Sequence, residues 1–237
     1  MTARPDTASI GQRANALGAT YVRGRVEGGL RFSSGVSQKR WAALGLRLGC
    51  WAKTFPGLTP IERVLHQTPL GAWSEQQVAD AEWSLEALGM LLWSLRLRPL
   101  SAWDRPFVAA LLPWVDTPSW YNESGPATVG RPLPRPRPSE AVDEMCDRAE
   151  AWHWRAVTAQ RTPTASLRAI IRDAAREGAK RGWFRVREGD FPYRGKAYAT
   201  LSAESRQAAW SIALERHRAL VWLTSEGERW DRVEVET

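Results

Sequence analysis

The sequence predicts a mainly α domain with a few short β-strands at its margins. Two observations carry this prediction. From residue 37 onward, apolar residues recur at three- and four-residue spacing, the period of a half-buried helix. Ser and Thr caps stand where those stretches begin, and Gly and Pro clusters stand between them.

The elements follow in order. Residues 1–36 are rich in Gly, Ser and Arg and read as an N-terminal extension, disordered over its first dozen positions. Within it Tyr21-Val22-Arg23-Gly24-Arg25-Val26 reads as a short edge strand. Residues 37–237 read as a single, mostly helical domain. Ser37 caps a helix whose apolar face holds Trp41, Leu44, Leu48, Ala52 and Phe55. Thr59-Pro60-Ile61-Glu62 supplies an N-cap, a proline at the first helical position and a capping-box glutamate, and a short helix follows to about Gln67. Ser74-Glu75-Gln76-Gln77 repeats that grammar and opens the strongest pattern in the chain, with Val78, Ala81, Leu85, Leu88, Leu92 and Leu95 in register. Trp83, Met90 and Trp93 widen its apolar surface, so this helix is expected to be central.

Asp104-Arg105-Pro106 starts a short helix toward Leu112. A Pro/Arg-rich loop occupies 126–138, where alternating prolines favour extended polyproline geometry over a helix. Ser139 caps a helix with Val142, Met145, Cys146, Ala149, Trp152 and Ala156 inward, and Ser166 caps another with Leu167, Ile170, Ile171 and Ala174 inward. Short strands are expected near 20–32, 183–198 and 232–236. Between the last two, Ser202 caps a helix to about Thr224, with Ala209, Ile212, Ala219, Leu220 and Leu223 on one face.

Composition narrows the function classes. A hydrophobic fraction of 43% belongs to a globular chain. Fourteen tryptophans are unusual, and each brings a large apolar area and a donor that seeks a partner. Most lie in helical apolar patterns and read as core; an aromatic surface for a partner is the other use of such residues. The net charge of +7 is spread along the chain rather than blocked, which disfavours nucleic acid as the partner. Cys50 and Cys146 read as passive free thiols. No apolar leader follows a basic stub, and Glu82 and Glu86 interrupt the most apolar helix. The expectation is a cytoplasmic protein with no membrane span.

The polar residues that could carry chemistry are few. Arg216 falls inside the apolar stripe of the last helix, and a buried guanidinium needs a carboxylate. Asp231 and Glu86 are its candidate partners, and snorkelling to the surface is the alternative. Glu82 and Glu86 stand one turn apart among large apolar residues, a setting that suits acid–base work or a metal, or for Glu86 a structural pairing with Arg216 or Arg155. His153 and Arg155 lie in Trp152-His153-Trp154-Arg155, either facing a cleft or packed in the core. Arg168, Arg172, Arg176 and Lys180 form a basic stripe at four-residue spacing, a phosphate grip or, more simply, a solvated face neutralised by Asp173 and Glu177. No histidine stands at zinc-ligand spacing from another, and no nucleophile elbow or phosphate-binding glycine loop occurs. No metal, cofactor or catalytic residue is assigned.

Five blocks together resemble a bacterial family described as "domain of unknown function 4272": Glu82 to Leu95, Glu150 to Arg155, Gly189 to Tyr198, Glu215 to Leu223, and Trp230 to Thr237. Positions similar to the family pattern include Glu86, Trp93, Trp152, Arg155, Asp190, Phe191, Glu215, Arg216, Trp222 and Asp231. The chain departs at its end, where Val235-Glu236 stands in place of a Thr–Asp pair. The resemblance implies a bacterial, cytoplasmic, mostly helical domain and no particular reaction.

The leading expectation is a non-enzymatic protein-interaction module, an adaptor or an immunity-type protein, with a protein partner. The rival is a hydrolase or nucleic-acid-processing enzyme. It requires Glu82, Glu86, His153, Arg155, Arg216 and Asp231 to meet in one cleft.

Overall fold

The computed structural model describes residues 3–32, 34–53, 55, 57–107 and 133–235. Among them, the elements run α1 (Thr7–Phe32), α2 (Gly35–Ala52), α3 (Pro60–Gln67), α4 (Glu75–Ser94), α5 (Ser139–Thr158), α6 (Ala165–Lys180), β1 (Pro192–Tyr193), β2 (Lys196–Ala197) and α7 (Ala203–Thr224). The fold is mainly α with one two-stranded antiparallel sheet, as the helical periodicity predicts.

α4 is central. It packs most extensively on α1 and also on α7, and α7 in turn packs on α5. From Leu85 to Leu95 every residue of this segment is buried, which matches the near-continuous apolar sequence there. The two capping boxes form as expected: Thr59 accepts from the Glu62 N–H while Glu62 reaches back to the Thr59 N–H, and Ser74 and Gln77 do the same. Ser202 caps α7 by accepting from the Ser205 N–H. The caps of the other helices are shifted. α2 begins at Gly35, ahead of Ser37. Ser139 is the first residue of α5, and α6 is capped by Thr164, which accepts from the Leu167 N–H, rather than by Ser166.

The largest correction concerns residues 1–36. Thr7–Phe32 is the longest helix, not an extension with an edge strand at 21–26. Its glycines allow close packing: a Cβ on Gly24 would come within 2.8 Å of the Ala81 Cβ on α4. Contact between small residues recovers the helix propensity that glycine forfeits.

The remaining strand expectations hold only around the β1–β2 pair. Trp183 to Val186 is not a strand, and an isolated bridge joins Arg187 to Asp190. Trp230–Arg232 forms a 3-10 turn and 233–235 has no strand; Val233 is buried in the core instead. Residues 104–107 are not helical, and the rest of the helix expected to Leu112 lies outside the described residues, as does 126–132 of the Pro/Arg loop. Residues 133–138 are irregular and fastened to the end of α4: the Arg137 N–H and Nε donate to the carbonyls of Ser94 and Trp93 at 2.8 and 2.9 Å. Among the described residues, no helix is long and apolar enough to cross a membrane.

Candidate functional site

The six residues singled out as a cleft occupy separate settings. Arg216 and Glu86 pair in the core, 1% and 2% exposed. Arg216 Nε and Nη2 lie 2.9 and 2.8 Å from Glu86 Oε2, and the remaining guanidinium donors reach the carbonyls of Ala102 at 3.0 Å and Arg105 at 2.8 Å. Glu86 Oε1 accepts the Phe107 N–H at 2.5 Å. Burial pushes the Glu86 carboxyl above its ordinary range, with Arg216 and that N–H pulling against it. Every group therefore has a partner, and the pair ties α7 to α4 and to residues 101–107. Asp231 pairs with Arg229 at 2.7 Å on the surface, not with Arg216.

Arg155 grips Asp190 with Nε and Nη2 at 2.7 and 2.6 Å. Asp190 also accepts the N–H groups of Phe191 and Ala199 at 2.7 and 2.9 Å, which holds the turn into β1 and the 3-10 turn after β2. His153 stands with its Nδ1 3.2 Å from Nδ1 of His217, across the α5–α7 seam. Such a bond needs one Nδ1 to donate and the other to accept, so at least the accepting ring is neutral. Burial favours the neutral form of both: it lowers His153, and burial followed by the His153 neighbour brings His217 to about 4. Glu82 is exposed and lies 3.5 Å from Arg25. These groups do not meet in one cleft.

The basic stripe of α6 is a solvated face. Arg176 pairs with Asp173 at 2.8 Å, Lys180 stands 3.8 Å from Glu177, and Arg168 turns back to the Pro163 carbonyl at 2.7 Å.

Two further buried ion pairs have their arginines on α1, the segment the sequence reads as an extension. Arg13 bonds both carboxylate oxygens of Glu62, and Arg23 bonds Glu27 at 2.8 Å and the Thr68 carbonyl at 2.8 Å. Burial pushes the Glu62 carboxyl up, yet the bonds and charge of Arg13 and the Thr59 N–H outweigh that and hold it below its ordinary range.

A different set of residues lines an open cleft of about 380 Å³. α4 contributes Asp80 and Trp83, α7 contributes Trp210, Glu215 and Arg218, α3 contributes Glu62, and Trp230 joins from the 3-10 turn. Trp83, Trp210 and Trp230 are half-buried. Arg218 donates to Glu215 at 3.2 Å. Burial raises the Glu215 carboxyl above its ordinary range, Arg218 opposes this, and Asp80 adds to it. Arg13 lies 4.5 Å over the Trp230 ring while bonding Glu62. Trp83 and Trp210 pack against the core, and among the described residues no ring or guanidinium stacks on either.

Sequence reasoning passes over this cleft. Trp83 looks like one more apolar residue of α4, and only the placement of Glu215 among the family-like positions marks the α7 wall. The chain matches no family model, no curated protein and no solved structure.

Proposed function

We propose that this protein is a non-enzymatic interaction module, an adaptor or an immunity-type protein of a bacterial cytoplasm, and that it receives a protein partner at the tryptophan-lined cleft. One observation carries the reading. The polar residues suited to chemistry are spent in separate structural pairs, whereas Trp83 and Trp210, packed against the core and half-buried, line an open cleft. Half-buried Trp beside charged groups is the composition from which interface hot spots are built. The proposed kinship with the domain of unknown function 4272 supports a mostly helical domain and adds no reaction to this reading.

The test is affinity capture of the tagged protein from its native cells in mild salt, with and without nuclease, read by mass spectrometry. A single stoichiometric protein that survives nuclease and is lost with Trp83→Ala plus Trp210→Ala supports the reading. Recovery of nucleic acid alone overturns it. So does turnover of any substrate that disappears in Glu86→Gln or His153→Ala while the fold persists.

A further inference from the structure

We propose that the cleft binds an arginine side chain presented by the protein partner; the inference rests on the interaction reading and names what the cleft recognises. Charge is the first argument. The chain carries +7, yet this cleft is lined by Glu62, Asp80 and Glu215. Arg13 pairs Glu62 and Arg218 pairs Glu215, so among the described residues Asp80, bonded by the Gln76 amide, is the cleft carboxylate without a cation. An anionic ligand would meet Asp80 unfavourably, and a purely apolar segment would desolvate it without compensation, whereas a cation would complement it.

The indoles supply the second argument. Trp83 and Trp210 are half-buried and line the cleft, and the face of an indole attracts a cation. A guanidinium suits the combination better than an ammonium. It is planar, stacks on an aromatic face and is weakly hydrated, and its edge matches a carboxylate bidentately.

The cleft also contains its own example of this geometry. The Arg13 guanidinium lies over Trp230, bonds both oxygens of Glu62 and reaches the Gly57 carbonyl, and both Trp230 and Glu62 line the cleft. Elsewhere in the core Arg23 lies over Trp73 and Arg216 over Trp103, each with a glutamate partner. Trp83, one helical turn from Asp80 on α4, repeats the indole-and-carboxylate half of that arrangement, and among the described residues no arginine pairs with Asp80. A cleft of about 380 Å³ is at the small end of ligand pockets, which run from about 300 to 1,000 Å³. It accommodates a long side chain with its flanking backbone rather than a bulky cofactor.

The experiment titrates the full chain with a blocked five-residue peptide holding one arginine among glycines and serines, following the indole N–H signals by NMR. The control peptide replaces arginine with citrulline, which keeps the shape and removes the charge. Expected are saturable shifts of the Trp83 and Trp210 signals, with binding about tenfold weaker for citrulline and for Asp80→Asn or Trp83→Leu. Asp80 is exposed, so Asp80→Asn leaves the fold intact and keeps the test valid if Trp83→Leu fails to fold. Equal binding of both peptides, binding unchanged in both variants, or no shift up to about 10 mM overturns the inference. The two readings separate in the capture experiment. A partner still recovered by Asp80→Asn and Trp83→Leu sinks the arginine cleft and leaves the interaction reading standing. No partner for the unmutated chain sinks the interaction reading itself.

Discussion

Arg216 and Arg218 stand two residues apart on α7, and each bonds a glutamate. The Arg216 side chain is 1% exposed, and Glu86, three carbonyls and the Phe107 N–H complete its network. The Arg218 side chain is 37% exposed and that of its Glu215 partner 15%, and the pair lines an open cleft with two half-buried indoles. The chemistry of the two pairs is the same, and their environment differs. Water is excluded from the first, so removing one member strands a buried charge. The second keeps its arginine within reach of solvent and of a ligand, so it contributes less to stability and is free to contribute to recognition.

That contrast is most sharply tested by Glu86→Ala, which leaves Arg216 buried without its carboxylate. Stability to urea is expected to fall by about 3–5 kcal/mol, and a loss below about 1 kcal/mol would erase the distinction between the two pairs. Acid is the next lever. His66 and His217 are both lowered to about 4, chiefly by burial, and His153 is lowered too. The unfolded chain therefore binds protons that the folded chain refuses. Stability is full above the unfolded value near 6.5, falls as pH drops toward about 4, and levels off below it. The loss is on the order of 3 kcal/mol for His217 alone, read from urea transitions between pH 7 and pH 4. A His217→Asn variant should flatten the profile, and an unchanged slope would place the acid sensitivity elsewhere.

Smaller effects belong to the open pair. Glu215→Gln is expected to shift the urea midpoint by no more than about 1 kcal/mol while weakening the arginine peptide. A large loss of stability there would make Glu215 structural. Smallest of all, Arg172→Glu with Arg176→Glu on the solvated α6 face should leave both folding and partner capture unchanged. A steep fall in salt-dependent nucleic-acid binding in that variant would restore the phosphate reading of the stripe.

Much of the helical frame is legible in the sequence. α4 and α7 carry sustained apolar periodicity behind Ser caps, and local rules suffice to place them. The buried Arg216 is legible too, because a guanidinium inside an apolar stripe demands a partner, and Glu86 is one of the two candidates. α1 is not legible. Its buried face holds Ile10, Ala14, Leu17, Tyr21, Val22 and Val26 at helical spacing, but Arg13, Arg23 and Glu27 share that burial and its glycines read as loop, which masks the period. The cleft is hidden for a related reason. Trp83 and Trp210 look like core on their own helices, and only the packing of α1, α3, α4 and α7 brings them to the wall of a common opening.

What the sequence determined by itself is local: helix periods, capping boxes, the breaks between helices, and the need of Arg216 for a carboxylate. These follow from interactions within a turn or two of chain, or from the cost of burying a charge wherever it lies. Tertiary structure decided which carboxylate each arginine took, that a glycine-rich N-terminal stretch became the longest helix, and which indoles stayed open. Those outcomes depend on distances between segments far apart in the chain, and no local preference encodes them.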